Sequence, residues 1–239
     1  MTKKDNIFDG KEKRIFVTAE DQDKVIIHYK DVTTAFGNIK RSVIKGKGEL
    51  NCDICATLFS YLNDNGIRTH FIKNLGNGEQ LCHRISLIPI EFVVRNYAAG
   101  SMAARLGVES GTKLANPVLD LGYNCDELGD PMMNEDEATA LGIVSKEELQ
   151  HIREVAMKVN SLLSELFHKA GIRLVDFKME FGRASDNSVI VSDEISPDTC
   201  RLWDENTGEI LDKDRFRHDI GDILPAYREV HDRLLALKK

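Results

Sequence analysis

The chain has 239 residues, of which 42% are hydrophobic and 30% are charged, a balance typical of a folded globular protein rather than a disordered one. Its formal net charge of −7 argues against general binding to nucleic acid or membrane surfaces, because both need a basic surface. No apolar run approaches the roughly 20 residues of a membrane-spanning helix, and the N-terminus lacks the apolar segment of a signal peptide. We therefore expect a cytoplasmic protein with no nucleic-acid and no membrane partner.

The five cysteines are scattered along the chain, and an odd number in a cytoplasmic protein favours reduced thiols over disulfides. Cys52 and Cys55 form a CxxC pair inside a predicted helix, but no second pair completes a zinc site. We expect both to be small core residues; the alternative is a redox or zinc role.

The first predicted elements are two strands joined by a turn. Residues 7–19 contain apolar runs on either side of Asp9, and the turn continues as Gly10-Lys11-Glu12-Lys13-Arg14. A glycine turn followed by cations can fold over phosphate groups, with main-chain N–H groups and lysines facing the anion. The alternative is an ordinary solvated basic turn, which this segment by itself does not exclude.

The remainder of the first third is predicted to be mostly β with one helix. Val25–Tyr29 has the pattern of a strand, whereas residues 31–47 contain glycines and predict a mobile loop. An amphipathic helix is expected over Leu50–Asn65, where apolar residues recur at helical spacing. The strands that follow are expected near residues 67–73, 80–85 and 87–95.

The end of the last of these strands carries an arginine and leads into small residues. The segment is Arg95-Asn96-Tyr97-Ala98-Ala99-Gly100-Ser101, and Ser101 is predicted to cap a short helix that ends at Gly107. Small residues at a helix N-terminus let an anion approach free N–H groups, and Arg95 adds a donor suited to phosphate. The alternative is an ordinary capped helix.

The middle and the C-terminal parts contain the longest predicted helix and two segments of uncertain form. Residues 108–133 are expected to be irregular, and such a long segment is usually functional or a lid. Ser145-Lys146-Glu147-Glu148 matches a capping box and begins a helix that continues to about Gly171. Residues 212–217 are dense in charge, which is typical of a solvated face, and a final helix is expected over residues 219–237.

The segment Leu174–Trp203 is predicted to form a β-hairpin with an unusual charged face. Every second residue from 175 to 181 is apolar, so that opposite faces alternate, and the residues between them are Asp176, Lys178 and Glu180. If Asp186-Asn187 form the tip, Glu180 lies opposite Asp193, and two facing carboxylates repel unless a positive group lies between them. A divalent cation suits such oxygen ligands, and Lys178 could hold a phosphate. The alternative is a solvated face with scattered charges.

Several of these segments, in their order and spacing, resemble the SAICAR synthetase family (phosphoribosylaminoimidazole-succinocarboxamide synthase) over essentially the whole chain. They are residues 10–13, 95–101, 176–182, 192–198, 201–204 and 212–217. The resemblance implies an α+β fold of two subdomains with antiparallel sheets, expected at residues 1–90 and 91–239, with an ATP cleft between them.

The reaction that the resemblance implies is the joining of the carboxylate of CAIR, 5-amino-1-(5-phosphoribosyl)imidazole-4-carboxylate, to the amine of L-aspartate. The products are SAICAR, ADP and phosphate, Mg²⁺ is required, and the reaction belongs to purine biosynthesis. A carboxylate is a poor acyl donor, so its phosphorylation to an acyl phosphate would precede attack by the amine. A homodimer is also implied by the resemblance.

Site residues are carried over from the family position by position. The catalytic residues are expected to be Lys178, near the transferred phosphoryl group or the substrate carboxylate, and Asp176, which would orient Lys178 or the substrate amine. ATP is expected to be bound by Gly10, Lys11, Lys13, Glu180 and Asp193, the last two through Mg²⁺. Substrate is expected to be bound by Arg95, Ser101, Asp198, Arg201 and Arg217, with Asp198 either binding the ribose or positioning Arg201.

Three departures from the family pattern are present, of which one is His83-Arg84, at a place where two lysines are common. Glu12 stands where a small residue is usual, which adds a negative charge near ATP. Thr199-Cys200 replace a common Gly-Ser pair, which puts a thiol beside the substrate site.

Two other functions compete with the ligase. A small-molecule kinase would use the same cleft to phosphorylate a hydroxyl group, and its product would persist without an amine. A nucleotide-binding regulatory protein would bind ATP without turnover, and its charged hairpin would be only structural.

Overall fold

The computed structural model describes residues 1–37 and 39–237 as an α+β protein whose strands pair antiparallel within its sheets. The strands, in chain order, are β1 (Lys3–Asp9), β2 (Lys13–Thr18), β3 (Lys24–Tyr29), β4 (Val32–Ala35), β5 (Lys40–Val43), β6 (Phe71–Gly76), β7 (Glu79–His83), β8 (Ser86–Leu87), β9 (Ile90–Ala98), β10 (Thr112–Tyr123), β11 (Met132–Met133), β12 (Ile172–Arg183), β13 (Val189–Ser192) and β14 (Cys200–Asp204). The helices are α1 (Lys47–Asp64), α2 (Gly100–Leu106), α3 (Glu135–Ala140), α4 (Lys146–Lys169), α5 (Asp214–Arg217) and α6 (Ile223–Ala236), and a 3₁₀ turn covers Asp126–Leu128.

Two main sheets make up the β structure. The first has the order β1-β2-β3-β7-β6, and the second has the order β11-β10-β9-β12-β13, with β14 and β8 also paired to β12. Strand β12 is therefore the organising element of the second sheet, because four other strands pair with it along its 12 residues. The short strands β4 and β5 form a separate hairpin.

One continuous hydrophobic core runs between both sheets and helices α1, α4 and α6. Helix α4 begins at a complete capping box, in which Ser145 and Glu148 exchange hydrogen bonds of 3.1 and 2.9 Å, as the sequence predicts. Its buried residues recur at helical spacing and include Ile152, Val159 and Phe167, so this face is core. No helix among the described residues is long and apolar enough to cross a membrane.

Two segments that the sequence predicts as irregular are strands. Residues 31–47 were expected to be a loop, but β4 and β5 pair with each other within this range. Asn38 of the same range lies outside the described residues. Residues 108–133 were also expected to be irregular, but β10 pairs with β9 through most of its 12 residues. Pro117 falls in the register shift between Lys113 and Val118, where its missing N–H costs no ladder bond.

Candidate active site

A cleft of about 1430 Å³ lies between the glycine turn of the first sheet and the polar face of β12 in the second. This volume exceeds the roughly 300–1,000 Å³ of a pocket for one small molecule. The cleft therefore has room for two ligands at once.

Strand β12 supplies the floor of the cleft because its side chains alternate as the sequence predicts. Residues 175, 177, 179 and 181 are completely buried in the core. Asp176, Lys178 and Glu180 point to the opposite face and line the cleft. The alternation thus places acid, base and acid beside one another on a buried strand.

Lys178 lies at the centre of three carboxylates, which with it form the Lys178 cluster. Its Nζ atom is 2.9 Å from Glu91 Oε1, 2.9 Å from Glu180 Oε1 and 3.7 Å from Asp193 Oδ2. Asn124 also donates to Glu180 Oε1 at 3.0 Å. The positive group between the facing acids is thus, in this structure, the ammonium of Lys178.

The predicted hairpin register is wrong by one residue. Glu180 pairs with Ser192 and not with Asp193, because the loop spans five residues and Arg183 pairs with Val189. Regular alternation after Ser192 would turn the next side chain to the packing face. Asp193 instead adopts a left-handed backbone with φ 61°, which returns its carboxylate to the side of Lys178.

The pKa values in the Lys178 cluster record a competition between burial and neighbouring charges. Burial raises the pKa of Glu180, and the repulsion of Asp193 adds to this against the attraction of Lys178. Burial also acts on Asp193, but Lys13 and Lys178 outweigh it and lower the pKa of Asp193 to about 2. Burial opposes the charged form of Lys178, yet the three carboxylates keep its pKa well above its ordinary value.

The glycine turn closes over the cleft from the first sheet. Gly10 N–H donates to the carbonyl of Lys13 at 2.9 Å, which tightens the turn. Lys13 bonds to Asp193, and its Nζ lies 2.7 Å from Glu194 Oε1, so the turn is tied to the end of β13. Lys11 Nζ lies 2.5 Å from Asp126 Oδ1.

Glu12 does not leave an unpaired negative charge in the cleft, although the sequence predicts an added charge there. Lys213 Nζ donates to Glu12 Oε1 at 2.8 Å, and the main-chain N–H and the hydroxyl of Thr34 donate to the same oxygen at 3.2 Å each. Glu12 therefore fastens the glycine turn to the segment before α5.

A second charged group, the Arg95–Arg201 cluster, lies beside the first. It consists of two arginines and three acids, which are Arg95, Asp120, Asp176, Arg201 and Asp214. Asp176 Oδ2 accepts from Arg95 Nη1 and from Arg201 Nη1, both at 2.9 Å. The register explains this arrangement, because Arg95 of β9 and Arg201 of β14 both pair with Asp176 of β12, one on each side.

Ser101 contacts this cluster and is not the predicted helix cap. Helix α2 begins after Ala99 and has no side-chain cap, whereas Ser101 Oγ accepts from Arg95 Nη2 at 3.1 Å. The helix ends at Gly107 with φ 63°, as the sequence predicts.

The charge run at residues 212–217 is not a solvated face, contrary to the sequence prediction, because its first three residues are buried. Asp214 Oδ2 accepts from Arg201 Nε at 2.8 Å, and Asp214 Oδ1 accepts from Arg217 Nη1 at 2.6 Å. Asp212 accepts from the main-chain N–H groups of Asp214 and Leu202 at 2.7 and 2.8 Å. Asp214 of this run therefore holds the guanidinium groups of Arg201 and Arg217 in place.

Burial, reinforced by repulsion from Asp214, raises the pKa of Asp212 to about 7. A carboxyl group whose pKa is higher in the folded than in the unfolded protein stabilises the fold while it is protonated. This contribution is lost as the pH rises from the unfolded pKa of 3.8 through the folded pKa. Relative to Asp212→Asn, the wild type is expected to lose roughly 2 to 3 kcal/mol of unfolding free energy between pH 5 and pH 8. Urea unfolding of both proteins at the two pH values measures this; a constant difference would contradict the raised pKa.

Asp198 belongs to a buried network formed with Lys47, Asn51 and Tyr227. It bonds to Lys47, accepts from Asn51 Nδ2 at 2.7 Å and accepts from Tyr227 Oη at 2.6 Å. The structure gives it no hydrogen bond to Arg201 within the described residues. This geometry does not favour the predicted role in positioning Arg201, because Asp198 instead joins α1 to α6.

Several residues of the two clusters were not predicted from the sequence. Glu91 lies four residues before Arg95 on β9, so the period of a strand places both on one face, and this signal was present. Asp120 and Asn124 carry no local signal, because only the folded strands bring Asp120 to Arg95 and Asn124 to Glu180.

Cys200 is buried, and burial raises its pKa well above the ordinary value of a thiol, so the structure does not support a reactive thiol there. Cys52 and Cys55 are core residues, as expected, and burial also raises the pKa of each thiol. Only Cys125 of the five is partly exposed.

Alkylation of the native protein is therefore expected to label Cys125 first and at least tenfold faster than the buried thiols. Peptide mass spectrometry after brief treatment with iodoacetamide measures the order of labelling, and Cys125→Ser serves as the control. Comparable labelling of Cys200 in the folded protein would contradict its burial.

Comparison with known proteins gives the family of this chain. The model of the SAICAR synthetase family matches residues 6–234. This chain belongs to the SAICAR synthetase family. It is 48% identical over 238 residues to phosphoribosylaminoimidazole-succinocarboxamide synthase from Fusobacterium nucleatum subsp. nucleatum, with all of both chains covered. It is 50% identical over 234 residues to the synthase of that name from Clostridium acetobutylicum, covering 98% of this chain and 99% of the other.

Solved structures give the same family. The structure of phosphoribosylaminoimidazole-succinocarboxamide synthase from Ehrlichia chaffeensis is similar with a TM-score of 0.94 and 45% identity, covering 97% of this chain and 99% of that one. A SAICAR synthetase in complex with ADP is similar with a TM-score of 0.92 and 44% identity, covering 95% and 96%. The predicted family and fold class are thus confirmed.

Gly100 leaves room for the guanidinium of Arg201, which lines the cleft of this SAICAR synthetase. A Cβ atom at Gly100 would lie 2.6 Å from Arg201 Cζ and 2.8 Å from its Nη1, and the residue has φ 50°. Gly100→Ala is expected to displace the guanidinium and raise the KM for CAIR at least tenfold, because a charge-assisted hydrogen bond contributes about 1.5–3 kcal/mol.

The matched control is Gly107→Ala, since Gly107 has φ 63° at the other end of the same helix and no atom near its Cβ position. Steady-state kinetics with CAIR varied measures both. The same rise in KM for the two variants would mean that backbone strain, and not Arg201, is responsible.

The residues present fit a divalent cation by charge. The described His, Cys, Asp and Glu residues include no ready-made group of three around one point, because Lys178 lies among the acids. Four carboxylates nevertheless lie around only two ammonium groups here, which leaves an excess of two negative charges. The carboxylates are those of Glu91, Glu180, Asp193 and Glu194, and the ammonium groups are those of Lys13 and Lys178. Carboxylate oxygens are ligands that Mg²⁺ prefers.

Proposed function

We propose that the chain is an ATP-dependent ligase that joins the carboxylate of CAIR to the amine of L-aspartate and gives SAICAR, ADP and phosphate. Its homologues at about half identity over the full length carry the name of this synthase. The observation that carries the proposal is the pair of adjoining charge clusters in one cleft, since the reaction must hold two anionic ligands side by side.

The Lys178 cluster and the glycine turn are the proposed ATP side. Gly10, Lys11 and Lys13 would face the phosphates, because all three line the cleft and the two lysines add positive charge there. The ADP complex of a related SAICAR synthetase supports nucleotide binding in this family.

Mg²⁺ would be held by Glu180 and Asp193, because the carboxylates around Lys13 and Lys178 outnumber the two ammonium groups. When bound, the ion neutralises phosphate oxygens and so assists phosphoryl transfer. Asn124 fixes one oxygen of Glu180, and the left-handed backbone fixes Asp193, so the chain itself orients both ligands.

The Arg95–Arg201 cluster is the proposed CAIR side. Arg95 and Arg201 would bind the phosphate and the carboxylate of the substrate, with Ser101 beside the first and Arg217 beside the second. Asp176 contacts both guanidinium groups, which supports a positioning role for Asp176 and not the orientation of Lys178. Asp198 would support this wall through α1 and α6.

The chemistry proceeds by phosphoryl transfer from ATP to one carboxylate oxygen of CAIR, which gives an acyl phosphate and ADP. The ammonium of Lys178 would neutralise the transferred group, because it lies on the face between the two sides of the cleft. The amine of aspartate then attacks the acyl carbon, and phosphate leaves with that carboxylate oxygen.

The organisation of the protein is also part of the proposal. We assign residues 1–90 and 91–239 to two subdomains, because the first main sheet lies within residues 3–83 and nearly all of the second lies after residue 90. A homodimer in the cytoplasm, acting on small molecules without nucleic-acid or membrane partners, agrees with the family and with the net charge of −7.

The direct test is the release of phosphate from ATP by the purified chain with CAIR and aspartate supplied together or one at a time. Release is expected only with both substrates, and SAICAR should form in equal amount. Phosphorylation of CAIR or another hydroxyl compound without aspartate would favour the kinase, and binding of ATP without turnover would favour a regulatory protein.

A further inference from the structure

Glu12 lies between the two lysines of the glycine turn, and its carboxylate contacts other parts of the chain. Its Oε1 atom accepts from Lys213 Nζ at 2.8 Å and from the main-chain N–H and the hydroxyl of Thr34 at 3.2 Å each, while its Oε2 atom lies 3.8 Å from Lys47 Nζ. Both lysines are buried, and the Glu12 side chain is 18% exposed, so these contacts are largely shielded from water. Glu12 therefore joins the turn to β4 and to the segment before α5.

The β4–β5 hairpin that Glu12 contacts pairs with neither main sheet among the described residues. Polar side chains help to place it instead. Thr34 of β4 donates to Glu12, and Lys40 of β5 donates to the carbonyl of Phe216 at 2.5 Å and to Asp219 Oδ1 at 2.6 Å. Because Thr34 and the turn both line the cleft, one carboxylate contributes to the position of two pieces of the cleft wall.

The side chains of the turn differ in what a nucleotide does to their contacts. Lys11 and Lys13 each contact acids, and each ammonium can exchange a carboxylate for a phosphate oxygen. Glu12 is the acceptor in its own contacts and is repelled by phosphate, so a nucleotide offers it no new partner. Its contacts therefore remain available to hold the turn when the two lysines bind the phosphates.

We propose that Glu12 is a positioning residue, whose contacts with Lys213 and Thr34 hold the glycine turn over the cleft in advance and thereby raise the affinity for the nucleotide. A turn that is ordered beforehand loses less conformational freedom on binding. The sign of this effect is opposite to that of direct repulsion, since an uncompensated carboxylate near the phosphates would lower the affinity. That the ligand is ADP or ATP rests on the proposed function.

The first test is calorimetric titration of Mg²⁺-ADP into the wild type, Glu12→Ala and Glu12→Gln. Glu12→Ala is expected to bind about tenfold more weakly, as for the loss of one charge-assisted hydrogen bond. Glu12→Gln keeps an oxygen that can accept from Thr34, so its affinity should lie between those of the other two proteins. An affinity of Glu12→Ala that equals or exceeds that of the wild type would overturn the proposal.

Lys213→Met tests whether the ion pair itself carries the effect. Added to Glu12→Ala, it should cause no further loss of affinity, because the same pair is broken only once. Losses that multiply would mean that Lys213 acts on the nucleotide by itself, and this would overturn the proposal. The double variant also removes the buried ammonium that Glu12→Ala leaves without its main partner. If Glu12→Ala does not fold, the affinity of the double variant relative to the wild type decides.

Glu209→Ala is the matched control for these titrations. Glu209 Oε1 lies 2.8 Å from Arg215 Nη1 of α5, and the Glu209 side chain is 58% exposed. The same change of residue type thus removes an ion pair to α5 but none to the glycine turn. Its affinity for Mg²⁺-ADP should equal that of the wild type. A loss as large as in Glu12→Ala would point to a general disturbance of α5 and would overturn the proposal.

A second measurement needs no ligand and does not depend on enzyme activity. Gly10 N–H donates to the carbonyl of Lys13 at 2.9 Å, and Lys30 N–H donates to the carbonyl of Glu12 at 2.7 Å, so both amides report on the turn. In hydrogen exchange followed by NMR, both should exchange about tenfold faster in Glu12→Ala than in the wild type, with helix α4 unchanged. Unchanged exchange at both amides would overturn the proposal. If exchange and ADP affinity change as expected but the wild type forms no SAICAR, the proposed function alone is wrong.

Discussion

Glu180→Gln is expected to lower kcat by about 10³ and to leave the protein folded. The replacement keeps the size of the side chain and the hydrogen bond from Asn124, but it removes the charge that attracts Lys178 and a metal ion. The measurement is kcat for phosphate release at saturating ATP, CAIR and aspartate, with circular dichroism and thermal unfolding as tests of the fold.

The matched control is Glu165→Gln, which makes the same chemical change on the exposed face of α4, where Glu165 pairs with Lys169. Its kcat should equal that of the wild type, because an exposed pair contributes little. A Glu180→Gln protein that retains more than a tenth of the wild-type kcat would contradict the role of Glu180.

Asp176→Asn is expected to lower the free energy of unfolding by about 3 kcal/mol, since it removes one buried partner shared by two guanidinium groups. Asp120 and Asp214 still compensate Arg95 and Arg201 in part, so the protein should fold. The KM for CAIR should rise more than tenfold, because Arg95 and Arg201 would no longer be held together. Urea unfolding and steady-state kinetics measure the two effects.

Asp64→Asn is the control for this variant, because Asp64 is exposed at the end of α1. Its free energy of unfolding should change by no more than about 0.5 kcal/mol. Its KM for CAIR should change by no more than the factor to which that energy corresponds. An Asp176→Asn protein with normal stability but no turnover would instead indicate that Asp176 acts on the reacting groups directly.

The part of the site that could be predicted from the sequence is the part that depends on local alternation. A strand has a side-chain period of two, so the acid, base and acid of β12 share a face whatever the strand pairs with. The family resemblance added the partners from distant segments, and the structure brings Arg95 and Arg201 to Asp176 of that strand and Lys13 to Asp193.

The register between β12 and β13 could not be predicted from alternation in the same way. Moving the hairpin tip by one residue changes every pair, and the sequence at residues 184–188 does not distinguish a four-residue from a five-residue loop. The wrong register still placed Asp193 beside Lys178, as in the structure. The reason is that the left-handed backbone of Asp193 turns its carboxylate back to the face from which the register shift would remove it.

Elements with weak local signals were also missed for physical reasons. The strands β4 and β5 have four residues each, which is too short for a period to appear, and β10 contains the Gly, Asn and Pro residues typical of loops. Both form because a partner strand is available, so tertiary pairing overrides local preference. The burial of Asp214 has a similar origin, since Arg201 of β14 compensates it in addition to Arg217 of the same charge run.

The transfer of oxygen from CAIR to phosphate tests the central claim most directly. With ¹⁸O in both carboxylate oxygens of CAIR, and with ATP and aspartate unlabelled, mass spectrometry of the phosphate reports whether the carboxylate was phosphorylated. One ¹⁸O atom per released phosphate is expected, and the other should remain in the amide of SAICAR. Phosphate free of ¹⁸O would contradict an acyl phosphate and, with it, the activation of the carboxylate by ATP in this cleft.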